Sequence, residues 1–291
     1  MKISREDLLC VHIFFHTLVE MLLRMKNFKN QTILITGGGS GIGKIMARLF
    51  LEREAKVVIW DINQHNIDTT LNELGGLGSI KGYRINVADI QEIENGYQLV
   101  KQNDGVVDVL INNAGIVVGK YFHEHTIEDI KRTMDINATA PMFVTRLFLQ
   151  DMLAQNSGYI CTIASSAGLI SNPKMSVYAS SKWAALGWSD SVRLEMKQLQ
   201  KNIGVTTVTP YYINTGMFDG VKSTFIPILN PEKVAKKIVR SIEKGKPICS
   251  MPWSMRFVRF SQGLLPIWLF DWFVGGVLGI YKTMEDFKGR K

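Results

Sequence analysis

The run Thr36-Gly-Gly-Gly-Ser-Gly-Ile-Gly43 constrains the fold of this chain more than any other stretch. It follows a short β-branched segment, Thr32–Thr36, and opens a segment with helical apolar periodicity, Ile42–Glu54. Glycines there permit a tight turn and let backbone amides approach a ligand closely, while the N-terminus of the following helix favours negative charge. A glycine-rich loop alone is a weak signal, because many turns contain glycine. Between a strand and a helix it becomes a strong signal for a dinucleotide pyrophosphate, with Gly37, Ser40, Gly41, Ile42 and Gly43 as the binding residues.

The pattern continues beyond that loop. Lys56–Trp60, Val107–Ile111, Gly158–Ile163 and Gly204–Thr209 read as further buried strands separated by helical stretches. Repeated β-α-β order predicts an α/β fold, a doubly wound parallel sheet with helices on both faces. With 291 residues, 46% apolar and 21% charged, the chain has the composition of one globular domain. No internal repeat or low-complexity linker interrupts it, so residues 25–250 form the core domain, with appendages at 1–24 and 251–291. Residues 1–24 leave three readings open: a weak amphipathic helix, a membrane-surface anchor, or an upstream extension. Leu8–Val19 is apolar but short and carries His12 and His16, and Pro266 and Asp271 interrupt Leu264–Tyr281. Neither stretch is expected to cross a membrane.

Charge and cysteine content exclude several classes. The net charge of +8 resides in residues 222–291, where thirteen Lys and Arg face five Asp and Glu. Lys233, Lys236, Lys237 and Arg240 occupy the polar side of a helix whose apolar side is Val234, Ile238 and Ile242, which predicts a solvated face. No nucleic-acid recognition motif accompanies the charge, so nucleic acid is not an expected partner. Cys10, Cys161 and Cys249 are odd in number and widely spaced, which suggests neither a disulfide framework nor a zinc site and fits a reducing, cytoplasmic setting. His123-Glu-His125 has no companion ligand and reads as a surface loop before a helix over Thr126–Asn137. No metal is expected.

Two further features carry chemistry. Asp61 ends the second strand, where a carboxylate can accept hydrogen bonds from ribose hydroxyls and repel a 2′-phosphate. Residue 62 is Ile and the glycine loop holds no cation, so NAD is expected over NADP; the plainer alternative is that Asp61 caps a turn. Tyr178 and Lys182 lie four residues apart, so a helix sets both on one face. The lysine charge is expected to lower the tyrosine pKa and ready the phenol for proton exchange with an alcohol or carbonyl oxygen.

Taken in order, the Gly37–Gly43 loop, Asn112-Asn-Ala-Gly115, Asn137, Ser165 and Tyr178-Ala-Ser-Ser-Lys182 resemble the short-chain dehydrogenases/reductases over about Asn27–Gly245. The resemblance implies a Rossmann-type domain and an NAD(H)-dependent oxidoreductase acting on CH-OH groups. It implies that Asn137, Ser165, Tyr178 and Lys182 are catalytic. It also implies that Asn113, Ala114 and Gly115 border the adenosine ribose, that Tyr178 and Lys182 touch the cofactor, and that Ile213 and Thr215 meet the carboxamide. Ser166 is the other candidate hydroxyl; Ser165, thirteen residues before Tyr178, suits the family spacing. One departure is Tyr211, which stands where many members carry glycine after Pro210. Pro210-Tyr-Tyr-Ile-Asn-Thr-Gly-Met-Phe218 together with Trp60-Asp-Ile-Asn63 is similar to the branch of retinol and lipid-droplet hydroxysteroid dehydrogenases. That branch implies NAD and membrane association.

The tail from Met251 to Tyr281 holds Trp253, Trp268, Trp272, Phe257, Phe260, Phe270 and Phe273, with Arg256 and Arg259 near its start. It reads either as a substrate lid or as a membrane-surface segment, and both favour a hydrophobic substrate such as a retinoid, a steroid or a long-chain alcohol. A homo-oligomer is expected. Competing readings are an acyl-thioester or sphingoid ketone reductase, against which Asp61 argues, and a non-catalytic membrane-bound scaffold.

Overall fold

The computed structural model describes residues 26–289. The readings made for residues 1–24 lie outside that range. Strands β1 (Thr32–Thr36), β2 (Lys56–Asp61), β3 (Ile80–Arg84), β4 (Val109–Asn112), β5 (Gly158–Ile163), β6 (Ile203–Pro210) and β7 (Ile248–Met251) form a single parallel sheet. Its order is β3-β2-β1-β4-β5-β6-β7. The doubly wound expectation is therefore met. The strands read from sequence agree to within two residues, whereas β3 and β7 had not been recognised. β3 alternates little and is half-exposed at the sheet edge, and β7 has only four residues.

Helices α1 (Gly41–Leu51), α2 (Gln64–Leu74), α3 (Ile90–Asn103), α4 (Ile127–Met134), α5 (Ala140–Ala154), α6 (Ser176–Gln198) and α7 (Pro231–Glu243) cover the two faces. Strand residues alternate between two cores, as a sheet buried on both sides requires. Ile33, Ile35, Val57, Ile59, Val109 and Ile111 join the core beneath α1 and α7. Leu34, Val58, Trp60, Leu110 and Ile160 join the core beneath α3, α5 and α6. The polar helix face anticipated for α7 is observed: Val234, Ile238 and Ile242 are buried, while Lys233, Lys236, Lys237 and Arg240 are exposed.

The stretch His123–His125 forms a short turn, and Thr126 caps α4 through the Asp129 amide, with the Asp129 side chain returning to the Thr126 amide. A π-helical turn at Asp135–Thr139 joins α4 to α5.

Beyond β7, whose last residue Met251 begins the tail, come two short helices, α8 (Val258–Leu264) and α9 (Ile267–Asp271). Pro266 separates them. No helix among the described residues is long and apolar enough to cross a membrane. Residues 280–289 return to the body of the domain, where Met284 packs in a cluster with Tyr178, Tyr212 and Val221. Phe287 joins that cluster and fills the space beside Gly119.

Phe148 on α5 links the helix layer to the sheet, its ring 5.7 Å from Trp60 and 5.0 Å from Tyr97. Phe148→Ala should destabilise the fold by about 3–5 kcal/mol, because a closely packed aromatic site relaxes only partly into the cavity. Urea unfolding checks this: the midpoint should fall with the slope unchanged, and an unaltered midpoint would contradict the packing role.

Candidate active site

Chain connections diverge on either side of β1 and β4, which opens a crevice at the carboxyl ends of the strands. A cavity of about 590 Å³ occupies it. Thr36, at the end of β1, holds the two sides together. Its hydroxyl accepts hydrogen bonds from the amides of Asn113 (3.0 Å) and Ala114 (3.1 Å), and the Asn113 side-chain amide donates to the carbonyls of Thr36 and Gly37. Asn112, by contrast, turns toward α5 and donates to the Thr145 hydroxyl.

Gly37 lies in the left-handed region at φ +64°, and Gly41 at φ +54°. Gly43 packs so tightly that an added Cβ would stand 2.2 Å from the Gly37 carbonyl oxygen. The N-terminus of α1 consequently lies directly under the loop, and Ser40, Gly41 and Ile42 line the cavity while Gly43 sits behind its wall.

Asp61 is buried, and its two carboxylate oxygens accept from the amides of Gly39 and Asn63, each at 3.0 Å. It thus braces the loop and also faces the cavity, where its neighbours on the wall are Ile62, Asn63 and Asn66. None of those three is cationic. Asp61 therefore caps the turn and also borders the cavity. Asn113, Ala114, Gly115, Ile213 and Thr215 share the same cavity.

At the other end stand Ser165, Tyr178 and Lys182. The first two turns of α6 place Tyr178 and Lys182 on one buried face, and the extended residue Ser165 caps the short turn after β5 through the Ala167 amide. Burial pushes the Tyr178 hydroxyl up to about 12, opposed by a hydrogen bond with Ser165 and assisted by nearby Tyr212. Burial also brings the Lys182 ammonium down to about 8. The expectation that Lys182 lowers the Tyr178 pKa is therefore corrected. The lysine Nζ donates to the Ile163 carbonyl at 3.0 Å and stands 5.7 Å from the tyrosine ring centre, so removal of both groups from water outweighs their mutual effect. Of the two serines after β5, Ser165 is the one hydrogen-bonded to Tyr178.

Asn137 differs from expectation in being one layer back from the cavity. Its amide oxygen accepts from the Ile116 amide, and its nitrogen donates to the Ile116 carbonyl and to the Ser181 hydroxyl. The π-helical turn supplies this register, bringing Asn137 between the loop after β4 and α6. Gly115 lies directly in front of it, and a Cβ there would stand 3.2 Å from the Asn137 oxygen and 3.5 Å from the Lys182 nitrogen.

Sequence reasoning gave the tail as a substrate lid but did not single out the other residues of the wall beyond Tyr178. Ile170, Asn172, Met175, Tyr212, Phe218 and Ile280 form it. The Tyr212 hydroxyl, the Asn172 amide and the Thr283 hydroxyl are mutually hydrogen-bonded at 2.8–3.1 Å, tying the returning tail to this end of the cavity. The hints in the sequence were the Tyr211-Tyr212 pair, Phe218 in the same motif, and the apolar tail. Tyr211 itself is buried, with its amide bonded to Met251 and its hydroxyl to Ser223, so it closes the loop after β6 instead of leaving it flexible. Among the described residues, no cluster of His, Cys, Asp or Glu is placed to hold a metal ion.

Comparison with known proteins agrees with this arrangement. The family model described as short chain dehydrogenase matches residues 31–224. Epidermal retinol dehydrogenase 2 of Mus musculus is 35% identical over 272 residues, covering 91% of this chain and 88% of that protein. Estradiol 17-beta-dehydrogenase 11 of Homo sapiens is 32% identical over 245 residues, covering 84% and 82%. The crystal structure of a short chain dehydrogenase/reductase from Burkholderia phymatum in complex with NAD superposes with a TM-score of 0.76 at 23% identity, over 82% of this chain and 95% of that one. With the crevice, the glycine loop and the buried tyrosine–lysine pair in place, the matched span and the similarity along most of its length make this chain a member of the short-chain dehydrogenase family.

Proposed function

We propose that this short-chain dehydrogenase interconverts an alcohol and a carbonyl on a hydrophobic, lipid-like substrate, a retinoid, a steroid or a long-chain alcohol, using NAD(H). The observation that carries the proposal is the position of the Tyr178 hydroxyl, beside Ser165, where the cavity wall turns apolar at Ile170, Met175, Phe218 and Ile280. The retinol and estradiol names of its relatives favour the same substrate class, and the NAD in the Burkholderia phymatum complex favours the same cofactor.

The residues present suit a dinucleotide. The loop at Gly37, Ser40, Gly41 and Ile42 with the helix N-terminus would hold the pyrophosphate, Asp61 the adenosine ribose, Asn113–Gly115 the wall beside it, and Ile213 and Thr215 the carboxamide. Among the described residues Lys182 has one acceptor, the Ile163 carbonyl, and can offer its remaining protons to ribose hydroxyls. When bound, NAD supplies the hydride acceptor and NADH the donor.

The chain supplies the rest. Tyr178, protonated at neutral pH because its pKa is raised, gives its proton to a carbonyl oxygen in reduction and must lose it to act as base in oxidation. Ser165 orients the substrate oxygen, Lys182 places a cation beside the phenol, and Asn137 fixes the Ile116 backbone and Ser181. Apolar walls keep water from the reacting carbon. The single-domain arrangement with a tail at 251–291, a cytoplasmic setting at a membrane surface and a homo-oligomer belong to the same proposal. Exposed Phe143 on α5 and Leu194 on α6 offer apolar surface for a second copy.

NADH absorbance during incubation with retinol, estradiol or a long-chain alcohol tests the activity, and no turnover with any of these would refute it. Oxidation should quicken as pH rises to about 8, since the base form of Tyr178 grows while Lys182 is still charged, and reduction should be flat near neutrality. A fall in oxidation rate as pH is raised from acid to neutral would contradict this assignment.

Tyr178→Phe should lower kcat by roughly a hundredfold or more while dinucleotide binding survives, since a positioned acid–base group contributes at least that much. Turnover close to the unmodified rate would require another acid.

Asp61→Ala should narrow the preference for NAD over NADP, because the carboxylate facing a 2′-phosphate is gone. Equal kcat/KM for the two dinucleotides in the unmodified enzyme would remove the basis for the preference.

A further inference from the structure

The inner side of the tail is core. Met255, Phe270, Val274 and Ile280 are buried, and a second cavity of about 350 Å³ lies behind α9, lined by Ile170, Trp183, Leu265, Ile267, Phe270 and Tyr281. The outer side is not packed by anything in the chain's described residues. Trp253, Phe257, Phe260 and Leu264 follow one another at spacings of four, three and four, which sets them on one face, and they are 56–67% exposed. Past Pro266 the surface continues with Ile267 at 81%, Trp268 at 71% and Trp272 at 62%. The rings of Trp253 and Phe257 meet edge to face at 5.6 Å, so the surface is continuous there. A run of seven large apolar side chains this exposed is a contact surface seeking a partner.

Charge identifies the partner. Between Met251 and Met284 the cations are Arg256, Arg259 and Lys282, all exposed, and the sole acid is Asp271, whose carboxylate accepts the Tyr281 hydroxyl. Two copies mated through this face would bring like charges together, since each contributes more cations than acids. Aromatic side chains bordered by cations instead match an anionic lipid surface, with the rings at the acyl boundary and the guanidinium groups among the headgroups. We infer that residues 253–272 form a docking face for an anionic phospholipid membrane. The face lies beside the second cavity, which shares Ile170 with the candidate active site. If the substrate is lipid-like, as the proposed activity holds, docking brings the substrate end of the site next to the membrane. The docking itself does not depend on that activity.

Flotation of the full-length protein with vesicles of phosphatidylcholine, with and without phosphatidylserine, tests the inference. Unmodified protein should float with phosphatidylserine-containing vesicles and less so in raised salt. A variant carrying Trp253→Ser, Phe257→Ser, Phe260→Ser and Trp268→Ser should remain in the aqueous fraction with its thermal melt and sedimentation unchanged. Arg256→Gln and Arg259→Gln, at exposed positions that leave packing intact, should each weaken partitioning about fivefold. If the fourfold variant melts early, these two decide, and partitioning unaffected by either overturns the inference. Equal flotation of unmodified and fourfold-substituted proteins also overturns it, moving the membrane contact to residues 1–25 or another surface. Failure of the unmodified protein to float overturns it as well, and conversion of a dimer to a monomer by the substitutions would then assign the face to a second copy. None of these measurements reads turnover, so failure of the proposed activity is separately visible.

Discussion

The crevice between β1 and β4 is the constraint on which the rest of the molecule depends. A parallel sheet whose connections run outward in both directions from its centre must leave a gap above the strands where they diverge. Here the Thr36 hydroxyl and the Asn113 amide close that gap from below, while Gly37 and Gly43 let α1 approach without a side chain in the way. Asp61 is fixed by the same loop, through the Gly39 amide. The cofactor end is therefore built almost wholly from backbone and short polar side chains, and its shape is a consequence of strand order.

The opposite end is governed by the cost of burying charge. Lys182 is buried with the Ile163 carbonyl as its protein acceptor, and Tyr178 stands beside it in an apolar cluster with Phe218 and Tyr212. Both neutral forms are favoured there, which is why the phenol rises and the ammonium falls. Such an arrangement is unfavourable for stability and characteristic of sites that hold or move a proton. The helical spacing of the pair guarantees proximity, but not the direction of the shift, because burial is set by what packs over the helix.

The tail is held by a few specific contacts and presents two different surfaces. Thr283 joins the Tyr212–Asn172 hydrogen-bond group, Met284 and Phe287 enter the substrate-end cluster, and Lys174 donates to the Glu285 carbonyl. Ile280 lines the cavity, and these contacts pack the residues after it against the substrate-end wall. The residues before them carry the exposed aromatic face. Ile280 reaches the cavity, whereas the exposed aromatic residues lie earlier in the same stretch.

Local chemistry made much of this protein legible from its sequence. The glycine loop after a β-branched strand, the carboxylate ending the next strand, and tyrosine and lysine one helical turn apart each imply their placement through turn geometry, strand polarity or the 3.6-residue period. Asn113, Ser165, Ile213 and Thr215 were legible through family spacing, and the structure brings them to one cavity. Tertiary structure alone decided the remainder. It set Asn137 behind the wall, because a π-helical turn changes the register between α4 and α5 in a way that periodicity does not encode. It brought Asn172, Tyr212 and Thr283 together from positions up to 111 residues apart. It also reversed the expected shift at Tyr178, since a pKa depends on the water excluded by residues distant in the chain, and no local pattern carries that information.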